Sequence, residues 1–299
     1  MLQNRWGYKM RLTIFGCGYS GKAIAEACGD LFGRAAGTTR SPEKAERLKS
    51  IGIDAYIYSG GEPDAALTAQ LSQTTHLVQS IAPGAEGDPL LQLGSARLSA
   101  LMPQLEWVGY LSTVGVYGDH EGAWVDEDSP CKPVSRRSVE RVEAEEGWRT
   151  FSETTGLPVA ILRLSGIYGP GRNAFVNLAE GTAKRIVKKD QVFNRIRVED
   201  IGAATRFLGE RRLGGIYNVT DNEPAPPQDV VTYAAELMDV APPPETDFET
   251  AELSPMARSF YGENKRVSNA RIRALGFEFR HPDYRSSLEN LWKCGNWRP

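Results

Sequence analysis

Short apolar runs alternate with amphipathic stretches along the first half of the chain. Arg11–Phe15 (RLTIF) reads as a strand. Behind it, Ile24, Ala27, Cys28 and Leu31 fall at i, i+3, i+4 and i+7, one face of a helix. Arg34–Thr38 reads as a second strand. A charged helix follows from Ser41 to about Ile51, with Ser41 placed to cap it and Pro42 in its first turn. Asp54–Tyr58, His76–Ser80, Trp107–Leu111 and Ala160–Leu164 continue the strand series, and helical patterns cover 90–102 and 138–155. Alternation of this kind predicts an α/β fold, a doubly wound parallel sheet of Rossmann type.

Past Gly166 the rhythm loosens. Glycine and proline cluster at 169–171, and proline is dense from Pro224 to Pro244, around a helical pattern over 229–238. Gly215–Val219 reads as one more strand, returning to the sheet. The expected division is therefore a Rossmann domain over 10–168, rejoined by 196–220. A smaller interleaved substrate lobe is expected from 169–195 and 221–299.

Composition narrows the chemistry. A length of 299 residues suits about two domains. With 41% hydrophobic and 24% charged residues, the chain has the make-up of a folded globule rather than a disordered one. A net charge of −3 gives no broad basic face, so nucleic acid is not an expected partner. No apolar run approaches the roughly 20 residues of a membrane helix. Cys17, Cys28, Cys131 and Cys294 are scattered without a C-x-x-C pair, and MLQNRWGYK at the start lacks a secretory apolar core. These features suggest reduced thiols and a cytoplasmic protein. Residues 1–9 are either a short ordered extension or lie upstream of a start at Met10. His76, His120 and His281 are the only histidines, so no metal site is expected and a Ser-His-Asp hydrolase has few candidates.

The run F-G-C-G-Y-S-G-K places Gly16, Gly18 and Gly21 as G-x-G-x-x-G between a strand and a helix. Glycine there lets backbone approach a pyrophosphate, and the helix start offers N–H groups and a positive dipole end. Gly16, Cys17, Gly18, Tyr19, Ser20 and Gly21 are thus candidate dinucleotide contacts. Gly16, Gly21 and Lys22 also satisfy the start of a P-loop. That motif needs a hydroxyl next, and Ala23 has none. Cys17 near a helix start is either a thiol of lowered pKa or simply a small loop residue. The second strand ends in Thr38, Thr39, Arg40 and Ser41. An NAD site usually carries an acid there for the ribose hydroxyls. Its absence, with Arg40 able to fork onto a 2′-phosphate, favours NADP over NAD, with Thr39, Arg40 and Ser41 as contacts.

Further runs carry a family resemblance. They are S-I-A-P-G (80–84), L-S-T-V-G-V-Y-G (111–118), Y-G-D-H-x-G-x-W-V-D-E (117–127), R-L-S-G-I-Y-G-P-G-R (163–172), I-R-V-E-D-I (196–201) and G-G-I-Y-N-V-T (214–220). In order and spacing the chain resembles extended short-chain dehydrogenase/reductases, the NAD(P)-dependent epimerase/dehydratase group, from about residue 10 to about 290. It is most similar to an atypical, nucleoside-diphosphate-sugar-epimerase-like branch. The resemblance implies that Ser80, Ile81, Ala82 and Pro83 line the cofactor. It implies that Gly166 and Ile167 approach the nicotinamide and that Thr113 holds the reacting oxygen. It further implies a homodimer packed through the helices near 90–102 and 138–155.

The departures from that pattern are as informative. Phe15 stands at the family's first loop glycine. The family's Y-x-x-x-K lies on the helix after the fifth strand; anchoring on Glu145 puts Arg141 at the lysine and Arg137 at the tyrosine. Arginine stays protonated and cannot be the acid/base. Arg137 either binds an anionic substrate group or is solvated. Arg141 either contacts the nicotinamide ribose or pairs with Glu145 one turn on. Tyr117 is the substitute acid. A literal Y-x-x-x-K at Tyr261–Lys265 falls after every sheet strand and reads as coincidence. Val114 and Gly115 replace the acidic pair of sugar dehydratases. Asp126, Glu127 and Asp128 read as a solvated loop. Two functional expectations follow. One is a reductase or epimerase acting on a small carbonyl, nucleotide-linked or phosphorylated substrate. The other is a non-catalytic NADP(H)-binding sensor or scaffold.

Overall fold

The computed structural model describes residues 10–298, so the expectations for residues 1–9 lie outside it. Strands β1 (Leu12–Phe15), β2 (Ala36–Thr39), β3 (Asp54–Ile57), β4 (His76–Gln79), β5 (Trp107–Thr113), β6 (Val159–Leu164) and β7 (Gly215–Val219) form one sheet in the order β7-β6-β5-β4-β1-β2-β3. β1 runs parallel to both β2 and β4, β2 to β3, and β4 to β5. This is the doubly wound parallel sheet that the alternation predicts. β1, β4 and β6 are buried along their whole length, as strands covered on both faces must be.

By contacts, the chain separates into two compact units. Among the described residues, the first comprises 10–112, 140–162 and 201–216. The second comprises 113–139, 163–200 and 217–298. Segment 113–139 thus clusters with the second unit, whereas the sequence division puts it with the Rossmann part.

In the first unit, helix α1 (Tyr19–Phe32) buries Ile24, Ala25, Cys28 and Phe32, close to the predicted stripe. Helix α2 (Pro42–Ser50) starts as expected, with Ser41 Oγ accepting from Lys44 N at 3.3 Å and Pro42 in the first turn. The core packs Phe15, Leu77, Val108, Tyr110, Trp148 and Phe151. The single helix expected over 90–102 is instead a 3-10 turn (Leu91–Leu93) and a short helix (Ser95–Leu101). Gly94 between them has φ +81°, which breaks the helical ladder while leaving the apolar spacing intact. The helix over 138–155 starts two residues early, at Arg136.

The second unit carries three two-stranded parallel ladders. Gly166–Tyr168 pairs with Arg195–Arg197, Arg185–Val187 with Glu245–Asp247, and Trp124–Val125 with Arg266–Val267. Phe175, Ala225, Ala234, Tyr284, Leu288, Leu291 and Trp297 form its main apolar cluster. The I-R-V-E-D-I run is part strand and part helix. After Arg195–Arg197 the chain turns into a helix over Val198–Glu210. Asp200 is buried, and its two oxygens accept from Arg280 N (2.8 Å) and His281 N (3.0 Å). No helix among the described residues is long and apolar enough to cross a membrane.

Candidate functional site

The glycine loop leaves β1 through Gly16, at φ +79°. A Cβ on Gly16 would lie 2.9 Å from Ile81 Cγ1 and 3.0 Å from Ile81 N, so only glycine lets the turns after β1 and β4 abut. Gly16 N donates to Thr38 Oγ1 (3.0 Å), and Cys17 N to Thr38 O (2.8 Å), which ties the loop to β2. A Cβ on Gly21 would meet Ile14 Cγ2 at 3.2 Å, so the third glycine seats α1 on the strand.

α1 begins at Gly18 with no side-chain cap and no acid in its first turn. Among the described residues, other helices are capped by Ser41, Asp64, Ser135, Asn173, Ser254 and Asp283. The first-turn amides of α1, Ser20 and Gly21 among them, have no intrahelical acceptor, and they carry the positive end of the dipole. This end can hold a phosphate. Cys17 is buried and burial pushes its thiol up to about 11, so it is packing rather than a reactive thiolate.

Beyond β2, Arg40 is exposed and makes no ion pair or hydrogen bond with the described residues. Ser41 is engaged at the cap, where its hydroxyl also donates to Glu43. After β4, Ser80 N donates to Phe15 O (2.9 Å) and Ile81 N to Gln79 Oε1 (3.3 Å), which sets the course of Ser80–Pro83. Gln79 Nε2 in turn donates to both Asp88 oxygens at 2.9 Å. Leu90 N (2.9 Å), Leu91 N (3.3 Å) and Trp148 Nε1 (3.3 Å) also donate to Asp88. Burial pushes this carboxyl up in spite of these donors. Neither Gln79 nor Asp88 is singled out by the sequence, because their partnership exists only once β4 and the following loop are folded. The loop sites at 16–21, 39–41 and 80–83 thus belong to one unit.

The same unit holds Arg141. Its guanidinium donates to Leu111 O (2.5 Å) and Tyr110 OH (3.3 Å) and lies over the Tyr110 ring. Tyr110 stacks on Trp148. Arg141 is thus held against β5 by these bonds. Glu145, buried one turn on, accepts from Ser112 Oγ at 2.5 Å. That bond joins the long helix to the end of β5, and Ser112 is another residue the sequence reading passed over. Ser112→Ala is expected to lower unfolding free energy by about 1 kcal/mol, measured by urea denaturation, because it removes a buried hydrogen bond between β5 and the long helix.

The remaining candidates lie in the second unit. Thr113 Oγ1 accepts from Gly115 N at 3.1 Å, leaving its hydroxyl proton to donate elsewhere. Tyr117 is 0% exposed and its hydroxyl donates to Asn218 Oδ1 at 2.8 Å. Burial pushes this phenol up to about 12, and Arg163 lies 4.8 Å over its ring. With its proton engaged and its acidity lowered, Tyr117 is a poor acid at neutral pH. Arg137 is exposed, with no ion pair or hydrogen bond to the described residues. Gly166 N donates to Asn194 O (3.1 Å), so Gly166 and Ile167 are positioned by pairing with 195–196.

Two secondary readings are settled here. Glu127 is not solvated: it is 7% exposed, and its Oε1 accepts from Asn218 N at 2.8 Å. Burial pushes its carboxyl up. Tyr261 and Lys265 lie outside any helix, and Lys265 Nζ donates to Gly118 O and Glu263 Oε2. They do not form the family's helical pair. Among the described residues, no cluster of His, Cys, Asp or Glu is arranged to hold a metal.

Comparison with known proteins agrees with this architecture. The model of the NAD dependent epimerase/dehydratase family matches residues 92–219. Protein YeeZ of Escherichia coli K12 is 30% identical over 286 residues, spanning 91% of this chain and 97% of that protein. The chain belongs to the NAD-dependent epimerase/dehydratase family. A solved conserved protein of unknown function from Silicibacter pomeroyi DSS is 44% identical. It superposes with a TM-score of 0.86 over 96% of this chain and 99% of its own. Human epimerase family protein SDR39U1, solved with NADPH, shares the fold at 15% identity. Its TM-score is 0.70, over 95% of this chain and 99% of its own.

Proposed function

We propose that the chain is an NADP(H)-dependent reductase or epimerase acting on a small carbonyl, nucleotide-linked or phosphorylated substrate. The observation that carries the cofactor reading is the start of α1. It is uncapped and free of acid, opened by Gly16, and lies in the same unit as an acid-free β2 terminus where Arg40 has no partner among the described residues. In this reading the amides of Ser20 and Gly21 take the pyrophosphate, with Gly16, Cys17, Gly18 and Tyr19 shaping the loop. Arg40 takes the 2′-phosphate, beside Thr39 and Ser41. Ser80–Pro83 flank the dinucleotide. The likeness to an NADPH-holding fold supports a nicotinamide cofactor; the choice of NADP rests on Arg40.

The bound nicotinamide would supply or accept hydride. On the substrate side, Thr113 donates to the reacting oxygen and Arg137 offers a positive charge to an anionic group. Arg141 replaces the usual lysine as a fixed charge beside β5. A non-catalytic NADP(H) sensor is the second reading. It is favoured by the arginines at the usual Tyr and Lys positions, since neither can exchange a proton at neutral pH.

Titrating the purified chain with NADPH and NADH, following nucleotide fluorescence, tests the cofactor assignment. Arg40→Ala is expected to weaken NADPH by about 10–50-fold and to leave NADH within about twofold, the loss of one charge-assisted contact. Tighter NADH than NADPH binding in the wild type would overturn the assignment. Oxidation of NADPH with a panel of carbonyl compounds separates enzyme from sensor.

A further inference from the structure

We propose that Thr113 and Ser138 form a two-hydroxyl seat for a neutral carbonyl oxygen, with Ser138 supplying the hydroxyl that the family's tyrosine would otherwise bring. The proposal rests on the carbonyl chemistry proposed above and assigns the group that handles the oxygen. Arg137, at the tyrosine's sequence position, leaves its charged side chain in solvent. The next residue, Ser138, is 7% exposed. A Cβ on Gly115 would lie 3.2 Å from Ser138 Oγ and 3.4 Å from Thr113 Oγ1. Both hydroxyls therefore flank the same face of Gly115, where glycine presents a hydrogen and a side chain would crowd them.

The hydrogen bonds leave both hydroxyls able to donate. Thr113 Oγ1 already accepts from Gly115 N at 3.1 Å. Ser138 Oγ pairs with Ser135 Oγ at 2.9 Å, and Ser138 N donates to Ser135 Oγ at 3.2 Å. Ser135, half-buried, is thus both the cap of the long helix and a link from Ser138 toward water. Were a reduced nicotinamide to supply hydride to the carbonyl carbon, the C=O π pair would pass to the oxygen and leave it negative. That oxygen takes the Ser138 proton, Ser138 regains one from Ser135, and Ser135 from water. One solvent proton is consumed for each hydride. Neither hydroxyl ionises near neutrality, so the seat polarises and protonates a carbonyl better than it deprotonates an alcohol. Tyr117 does not compete, since its hydroxyl is held by Asn218.

The test uses acetamide, a small neutral carbonyl, titrated into the full-length chain with and without NADPH and followed by amide NMR. Chemical-shift changes are expected at Thr113, Gly115 and Ser138 in both conditions. Ser138→Ala is expected to weaken acetamide by about 5–10-fold, one hydrogen bond, and Ser138→Thr to restore it. Gly115→Ala is expected to close the seat by filling the space between the hydroxyls. Absence of shifts at these three residues, or equal affinity in wild type, Ser138→Ala and Gly115→Ala, overturns the proposal. Should Ser138→Ala fail to fold, Gly115→Ala decides alone. A parallel NADPH titration of the wild type addresses the cofactor reading independently: its failure would leave the acetamide result standing.

Discussion

Gly18→Asp is expected to abolish binding of both NADPH and NADH, by about 100-fold or more in dissociation constant, while the protein keeps its melting temperature within a few degrees. Gly18 is the residue from which α1 starts, and no side chain caps that helix. Its φ is −91°, and a Cβ there would meet nothing nearer than Gly16 O at 3.9 Å. Aspartate is among the best capping residues, and its carboxylate would accept from the first-turn amides. The ψ of −143° lies at the edge of the extended region, so a small backbone strain offsets the small capping gain. The same carboxylate would occupy the phosphate seat and repel the pyrophosphate. Nucleotide titration and thermal melting of one preparation check both halves. A variant that still binds either dinucleotide within a few-fold of wild type would place the cofactor elsewhere.

Acidification is expected to destabilise the fold through His76. This residue is 0% exposed, and burial pushes its imidazole from 6.5 down to about 4. Its ring nitrogens lie 2.9 Å from Thr75 Oγ1 and 3.1 Å from Gly209 O, against Phe32 and Trp107. Folded His76 is neutral, and the unfolded chain takes up the proton first as pH falls through 6.5. Stability is therefore full above pH 6.5 and declines as pH falls toward about 4, by about 3 kcal/mol from this group. His281 is pushed down to about 4 as well, with the same sign. Comparing urea unfolding of wild type and His76→Gln at pH 7 and pH 4 isolates the effect. A stability difference that does not change between these pH values would contradict it.

The sheet and the glycine loop were legible because they depend on local order. Leu12–Phe15, the three glycines and the apolar stripe through Ile24 and Cys28 follow one another along the chain, and each constrains the next. Gly94 marks where local reading fails: the apolar spacing over 90–102 continues across a residue whose backbone breaks the helix. Glu127 fails for a different reason. Its partner, Asn218 N, lies 91 residues away. Charge in an acidic run reads as solvated until the fold supplies donors. Tyr117 sits in a recognisable motif, but its engagement with Asn218 is visible only in three dimensions. Ser138 stands one residue after Arg137, the position that spacing from Glu145 gives to the tyrosine. The hydroxyl that flanks Thr113's side of Gly115 belongs to the neighbour.

The most direct test of the central claim is a crystal structure of the full-length chain with NADPH bound. The account predicts the pyrophosphate within hydrogen-bond distance of the Ser20 and Gly21 amides, and the adenosine 2′-phosphate on the Arg40 guanidinium. A dinucleotide bound away from the start of α1, or a 2′-phosphate directed away from Arg40, would contradict it.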